Sequence, residues 1–334
     1  MKILIYGSGA IGSNLGGMLA RQGIDVTLIA RGAQLEALRS GGLAIERKNH
    51  PTEIMPIKAL SAQDCHETFD IIFVTLKATQ LDAAAADLMS KLTENGALVM
   101  IQNGLPWWYF DGLDSQYAGS SIRCLDKLGV LKQWIPLERI IGGVIYMPVS
   151  QVAPGKIFLP DIVVPKLLIG ELNGSLSPRL ASIEQLMNEC GLKTEAVTDI
   201  RKAKWQKVLI NLVWNSLCAI TQSAPGYIAE NPYVAGLVRD MIEEAGAVAK
   251  SVGVELEVDP DKELQRVQGN YVQQPSMLQD VRAGKALEND AILGAVIEIA
   301  EITGIQVPAL RVVGGLLEVI NQTLIREQKA ITLV

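Results

Sequence analysis

The sequence is poor in the residues that bind metals or form disulfide bonds. Its only histidines are His50 and His66, and its four cysteines lie far apart, with no Cys-x-x-Cys pair: Cys65, Cys124, Cys190 and Cys218. A structural zinc site usually has closely spaced cysteines or histidines as its ligands. We therefore expect no bound metal, and we interpret the cysteines as core thiols of a protein from a reducing compartment.

The sequence also lacks long apolar runs and runs of basic residues. No stretch reaches about 18 unbroken apolar residues, the length that a membrane span needs. Glycines interrupt the apolar N-terminus, so no signal peptide is predicted. There is no run of five basic residues, and the net charge is −6. These absences argue against membrane and nucleic-acid partners and predict a cytoplasmic protein.

The overall composition and the length of the chain are typical of a folded protein with more than one domain. Of the 334 residues, 49% are hydrophobic and 20% are charged, which is typical of a folded globular protein. A chain of this length exceeds one ordinary core, so two domains are expected.

Short apolar runs alternate with helical stretches in the first part of the chain. The runs are largely continuous, as expected for strands covered on both faces: Lys2–Tyr6, Asp25–Ala30, Asp70–Leu76 and Ala97–Gln102. Helices are predicted between them, at Ile11–Gln22, Ala33–Ser40 and Gln80–Leu92. This alternation predicts a Rossmann-type, doubly wound parallel sheet.

Further along, the pattern becomes less regular. Arg139–Val149 and Lys156–Phe158 flank a Val-Ala-Pro-Gly stretch, which predicts a β-hairpin. The last strands are predicted at Lys166–Gly170 and Lys193–Val197, on either side of a helix at Pro178–Glu189. The stretch Pro106–Pro136 fits no Rossmann element, and we interpret it as a long insertion or flap. It contains a run of aromatic residues: Trp107, Trp108, Tyr109 and Phe110.

From about Thr198 helical periodicity takes over. Five helices are predicted: Asp199–Gln222, Tyr233–Val252, Pro260–Gln268, Glu288–Thr303 and Pro308–Glu327. The fold class is therefore α/β, with a Rossmann domain over residues 1–197 and an all-α substrate and catalytic domain over residues 198–334.

A glycine-rich loop joins the first predicted strand to the first helix. Its GxGxxG pattern suits a dinucleotide, because the first glycine makes the turn, the second admits a pyrophosphate and the third lets the helix pack on the strand. The pyrophosphate is then held at the helix N-terminus. The position of the motif in a strand–loop–helix–strand unit strengthens the prediction. The predicted cofactor residues here are Gly7, Ser8, Gly9, Ala10, Ile11 and Gly12.

Three polar residues follow other strands of the same predicted sheet. Arg31 stands where an enzyme that uses NAD usually has an acidic residue, and arginine instead suits the 2′-phosphate of NADP(H). Lys77 and Asn103 each follow an apolar strand, so both are expected at the carboxyl edge, where ligands bind in open α/β folds. Taken singly, each of these two residues would more often be a loop or turn residue.

The first long helix of the second domain carries a polar stripe. A step of four residues advances about 400°, so Lys207, Asn211 and Asn215 share one face. The other positions are mostly apolar, which predicts a buried helix whose polar stripe needs partners. A solvated stripe is the alternative. Further on, Glu288 opens an apolar helix, and its carboxylate is either functional or simply favoured by the helix dipole.

Together these segments identify a resemblance to the ketopantoate reductase family over essentially the whole chain. The matching pieces are Gly7–Gly12, Arg31, Leu76–Lys77, Gln102–Gly104, Lys207 with Asn211 and Asn215, and Ser276–Asp280 with Glu288. The resemblance implies hydride transfer from NADPH to the ketone of a 2-oxo acid, which gives a 2-hydroxy acid. In the family this reaction makes pantoate, for pantothenate and coenzyme A.

The resemblance also implies roles for individual residues. Lys207 resembles the general acid, and Glu288 resembles the carboxylate that orients the substrate and the lysine. Lys77 and Asn103 resemble residues at the nicotinamide end. The substrate would be held by Asn103, Asn211, Asn215 and Ser276. The sequence does not determine the oligomeric state, and a homodimer is left as an open expectation.

Three positions depart from the family pattern: Leu287 precedes Glu288 in place of threonine, and Pro225 and Gln273 replace asparagines. These departures do not change the expected reaction type, but they leave the identity of the substrate undetermined. One alternative is a reductase of another 2-oxo acid or of a bulkier ketone, with Trp107 and Trp108 shaping the pocket. A second is a protein that senses NADP(H) without catalysis, although a sensor has no need of a buried proton donor.

Overall fold

The structure is a computed structural model, and it describes residues 1–160 and 164–327. The chain divides into two compact units. The first combines Met1–Gln102 with Gly129–Ile200, and the second combines Asn103–Leu128 with the chain from Arg201 onward. The main boundary thus falls three residues beyond the predicted one, and residues 103–128, predicted in the first domain, belong to the second unit. The sequence pattern does not predict that residues 103–128 join the second unit, because tertiary packing decides which unit a segment joins.

The first unit is built around an eight-stranded sheet. Its strands lie in the order β12-β11-β8-β7-β6-β1-β2-β5, and every pair is parallel except β8 with β11. This confirms the predicted Rossmann-type sheet, with one antiparallel pair that the prediction lacked. The described residues of the unit form these twelve strands: β1 (Ile3–Tyr6), β2 (Val26–Ile29), β3 (Leu43–Arg47), β4 (Glu53–Met55), β5 (Lys58–Leu60), β6 (Phe69–Val74), β7 (Leu92–Met100), β8 (Ile140–Tyr146), β9 (Ser150–Ala153), β10 (Lys156–Leu159), β11 (Lys166–Glu171) and β12 (Lys193–Ala196).

Four of these strands form a second, smaller sheet in the order β4-β3-β10-β9. The hairpin predicted between Arg139–Val149 and Lys156–Phe158 is wrong in its first strand, because β10 pairs antiparallel with β9, while β8 lies in the large sheet. A tight turn explains the pairing: Gly155 has a φ of +70° and reverses the chain directly after β9. The strand β8 is almost wholly buried, as a continuous apolar run predicts for a strand covered on both faces.

Helices cover the large sheet and then form the second unit. The first unit has α1 (Ala10–Arg21), α2 (Gly32–Gly41), α3 (Leu81–Ser90), α4 (Val130–Trp134) and α5 (Pro178–Glu189). The chain continues with α6 (Ile200–Thr221), α7 (Pro225–Glu230), α8 (Pro232–Ser251), α9 (Pro260–Val267), α10 (Ser276–Arg282), α11 (Ala295–Thr303) and α12 (Pro308–Glu327). A π-helical turn, Asp290–Gly294, leads into α11. The short helices α7 and α10 were not predicted, because each is too short for helical periodicity to show.

The aromatic segment Trp107–Phe110, in the stretch interpreted as a long insertion or flap, is buried in the second unit, which supports an insertion rather than a flap. All four of its side chains are at most 5% exposed. Trp205 of α6 donates a 2.7 Å hydrogen bond to the Tyr109 hydroxyl, and Arg201 donates to the backbone carbonyls of Tyr109 and Asp111. Burial of aromatic area and these hydrogen bonds hold the segment against α6. Among residues 1–160 and 164–327, no helix is long and apolar enough to cross a membrane.

Candidate functional site

The glycine loop leaves room for a pyrophosphate at the start of α1. Gly7 has a φ of +114°, which favours glycine, and a Cβ on Gly12 would lie 1.9 Å from the carbonyl oxygen of Gly7. A Cβ on Gly9 would instead meet open space, and no side chain caps the helix there. The first turn of α1, with Ala10 and Ile11, therefore presents its backbone amides to an anion. These features fit the phosphates of a dinucleotide.

Two further predicted cofactor residues lie at the same edge of the sheet. Tyr6, the last residue of β1, is in register with Ile29 of β2 and with Val74 of β6. Arg31 follows β2, where it is exposed and precedes α2, and the half-buried Lys77 follows β6. The loop, the arginine and the lysine thus follow the carboxyl ends of three adjacent parallel strands. Ser8, by contrast, is buried, and its carbonyl oxygen accepts hydrogen bonds from Ser13 and Gln34.

The second unit brings the two predicted catalytic residues together through Asn103. The Lys207 ammonium donates a 2.8 Å hydrogen bond to Asn103 Oδ1, and Asn103 Nδ2 lies 3.4 Å from Glu288 Oε2. The Asn103 amide thus joins the ammonium group of Lys207 to the carboxylate of Glu288. Lys207 lies on α6, Asn103 lies in the loop that begins the second unit, and Glu288 lies two residues before the start of the π-helical turn at Asp290. All three side chains are half-buried.

Burial lowers the pKa of Lys207, the predicted proton donor. Loss of solvent lowers the pKa of Lys207 from 10.5 to about 8, while the negative charge of Glu288 acts in the opposite direction. A lysine with such a pKa can lose and regain its proton near neutral pH, which general acid catalysis requires.

The remaining predicted substrate residues form a second polar pair on the same helix. Asn215 is 4% exposed, and its Nδ2 lies 3.4 Å from the Ser276 hydroxyl at the start of α10. Asn211 lies half-buried between Lys207 and Asn215 along α6. The stripe is therefore partly buried and partnered, which argues against the alternative of a solvated face.

The three departures from the family pattern have local structural roles. Pro225 is buried in the first turn of α7, where a missing backbone N–H costs nothing. Gln273 is exposed and accepts a 2.6 Å hydrogen bond from Asn270. Leu287 is buried, and its N–H donates to Asn321. None of these contacts involves Lys207 or Glu288.

One charged residue of the cluster was not predicted. Lys204 lies three residues before Lys207 on α6 and is 4% exposed. Burial and, to a smaller extent, the positive charge of Lys207 lower its pKa to about 7, while the charge of Glu288 opposes the shift. Its spacing from Lys207 places it on the same helix face, and that was the available sequence signal.

Both parts of the chain match profiles of one protein family. Residues 3–174 match the family profile "Ketopantoate reductase PanE/ApbA", and residues 199–321 match "Ketopantoate reductase PanE/ApbA C terminal". The 2-dehydropantoate 2-reductase of Mesorhizobium japonicum is 32% identical over 311 residues, which cover 93% of this chain and 94% of that protein.

Solved structures show the same fold over nearly the whole chain. A candidate ketopantoate reductase from Ralstonia solanacearum MolK2 is 31% identical, with a TM-score of 0.89 and coverage of 96% of this chain and 98% of that one. A D-mandelate dehydrogenase, solved with NADH and anilino(oxo)acetate, has a TM-score of 0.82 at 20% identity and covers 97% of this chain and 99% of that one. That identity shows the fold alone.

Proposed function

We propose that this chain, which belongs to the ketopantoate reductase family, uses NADPH to reduce ketopantoate to pantoate. As a family member it is an oxidoreductase that acts on a CH–OH group, with a nicotinamide cofactor. We further propose that the cofactor is NADPH, that the substrate is ketopantoate, and that the reaction serves pantothenate biosynthesis. The observation that carries it is the hydrogen-bonded chain from Lys207 through Asn103 to Glu288.

The proposed mechanism assigns proton transfer to Lys207. NADPH, when bound at the glycine loop, supplies the hydride that reduces the carbonyl carbon. As negative charge develops on the carbonyl oxygen, the Lys207 ammonium stabilises it and donates the proton that completes the alcohol. Asn103 accepts a hydrogen bond from Lys207, which holds the ammonium in place, and Glu288 adds a favourable charge. Asn211, Asn215 and Ser276 would hold the polar groups of the substrate.

Oxidation of NADPH, followed by absorbance, tests the proposal and its alternatives. We expect turnover with ketopantoate and none without a ketone. Turnover with other 2-oxo acids but not with ketopantoate would favour the alternative substrate, and tight NADPH binding with no turnover on any ketone would favour a sensor. A homodimer remains a prediction that light scattering can test.

The cofactor preference is predicted from Arg31. We expect NADPH to bind roughly tenfold or more tightly than NADH, because the guanidinium makes a charge-assisted hydrogen bond with the 2′-phosphate. Arg31→Ala should remove the preference by weakening NADPH binding and leaving NADH binding nearly unchanged. Fluorescence titration measures both affinities. Arg39→Ala is the matched control, since Arg39 is an exposed arginine at the other end of α2, paired with Asp64 at 3.1 Å. Equal affinities in the unmutated protein would refute the assignment.

The selectivity for ketopantoate is predicted to be limited. Pro225 and Gln273 take the place of polar contacts expected in the family, and a site with fewer hydrogen bonds to one substrate discriminates less well in its favour. A panel of branched 2-oxo acids, compared by kcat/KM, should show ketopantoate turned over without overwhelming preference. A preference beyond about 10⁴-fold would show that these departures have no effect on selectivity.

A further inference from the structure

The loop after β7 is packed directly against the π-helical turn of the second unit. Gly104 of this loop has a φ of +88°, which favours glycine. A Cβ on Gly104 would lie 2.2 Å from the Ala291 carbonyl oxygen and 2.6 Å from the Ala291 Cβ. The next residue, Leu105, donates a 2.8 Å backbone hydrogen bond to the same carbonyl oxygen. Because all three residues are buried, this position needs a residue without a side chain.

This backbone contact lies beside both ends of the polar cluster. Asn103, which directly precedes the glycine, accepts a hydrogen bond from Lys207 at 2.8 Å and lies 3.4 Å from Glu288. On the other side, the Ile292 N–H donates a 3.3 Å hydrogen bond to the Glu288 carbonyl oxygen, so Glu288 and Ala291 belong to one helical turn. A loop that moves away from Ala291 therefore moves the Asn103 amide relative to Glu288.

We propose that Gly104 is a positioning residue: its close approach to the π-helical turn fixes the Asn103 amide, which in turn places the Lys207 ammonium for proton transfer. The inference rests on the proposed function and deepens it. A larger residue would displace the loop by about 1 Å, since a Cβ at 2.2 Å must retreat to the 3.4 Å at which ordinary van der Waals contact begins. A displacement of about this size can lower the rate by about 10²-fold, although no reacting group is removed.

A double-mutant cycle on kcat tests whether the glycine acts through the amide. Gly104→Ala should lower kcat roughly 10- to 100-fold, with smaller changes in KM and in NADPH affinity. In the Asn103→Ala background the same substitution should lower kcat less than about threefold, because the amide that the glycine positions is already absent. A role in stability alone would give the same further loss in both backgrounds.

Gly304→Ala is the matched control for backbone strain. Gly304 follows α11 with a φ of +75°, but a Cβ there would meet nothing within 4 Å. This variant should have a lower melting temperature and an unchanged kcat. Crystal structures of the two alanine variants give a readout that does not depend on activity. The 2.8 Å contact between Lys207 and Asn103 should be lost in Gly104→Ala and retained in Gly304→Ala.

Three results would overturn the proposal: near-normal kcat in Gly104→Ala, additive losses in the cycle, or a Lys207–Asn103 contact retained in that variant. If Gly104→Ala does not fold, Ala291→Gly takes its place. Removal of the Cβ beside the loop should lower kcat about threefold or more, and only while Asn103 is present. An unchanged kcat in Ala291→Gly then decides against the proposal. If the unmutated protein reduces no 2-oxo acid, the proposed function fails, and the crystal structures still test the positioning.

Discussion

Replacement of Lys207 by alanine is expected to lower kcat by about 10²-fold or more, as the loss of a general acid does. NADPH affinity should change little, because Arg31 and the glycine loop belong to the other compact unit. Stopped-flow kinetics and a cofactor titration separate the two effects. Near-normal turnover in the alanine variant would show that Lys207 is structural and that the proposed mechanism is wrong.

The pH dependence of kcat provides a second test of the role of Lys207. In the unmutated protein, kcat should be retained below pH 8 and fall above it, because burial lowers the pKa of the Lys207 ammonium to about 8 and the donor must be protonated. The fall should be absent from the residual activity of Lys207→Met, which keeps most of the side-chain volume. Gln206→Ala is the matched control, since Gln206 is an exposed neighbour on α6.

Replacement of Gly12 by alanine is expected to abolish tight cofactor binding and to destabilise the first unit. A Cβ at this position would lie 1.9 Å from the Gly7 carbonyl oxygen and 2.5 Å from the Thr75 hydroxyl, so α1 must move away from the sheet. Overpacking against backbone costs about 3 kcal/mol. Cofactor affinity should fall by at least roughly 10²-fold, because the pyrophosphate depends on the position of the helix N-terminus. Thermal unfolding and a cofactor titration measure the two effects.

Two other glycines serve as controls for this variant. Gly9→Ala should weaken cofactor binding and leave the melting temperature unchanged, because its Cβ would enter the open space expected to hold the pyrophosphate. Gly41→Ala, at the exposed end of α2 with nothing near its Cβ, should change neither property. Full cofactor affinity in Gly12→Ala would show that the loop does not bind the dinucleotide.

Most of the Rossmann unit was predictable from local pattern. The helices α1 and α5 and the strands β1, β2 and β6 lie within a residue or two of their predicted bounds, because buried parallel strands are continuous apolar runs. The strands β3, β4 and β5 were missed. They are short and partly exposed, and their stability comes from pairing with distant partners, such as β3 with β10.

The candidate site was predicted as a set of residue types but not as an arrangement. The spacing of Lys207, Asn211 and Asn215 on α6 is a local property of the helix, so the sequence determined their common face. Glu288 and Ser276 came only from the resemblance to the family, since each has an equally good local explanation at a helix start.

The sequence by itself determined the glycine loop, the arginine after β2, the polar face of α6 and the division into a sheet unit and a helical unit, since each depends on neighbours in sequence. Only the tertiary structure decided that the loop after β7 joins the second unit. There Asn103 bridges Lys207 and Glu288, which lie 104 and 185 residues away in sequence. Only tertiary packing likewise buried Lys204 and the aromatic segment. Solvent exclusion and charge pairing depend on which segments, distant in sequence, come into contact in the folded protein. Local periodicity does not predict these contacts.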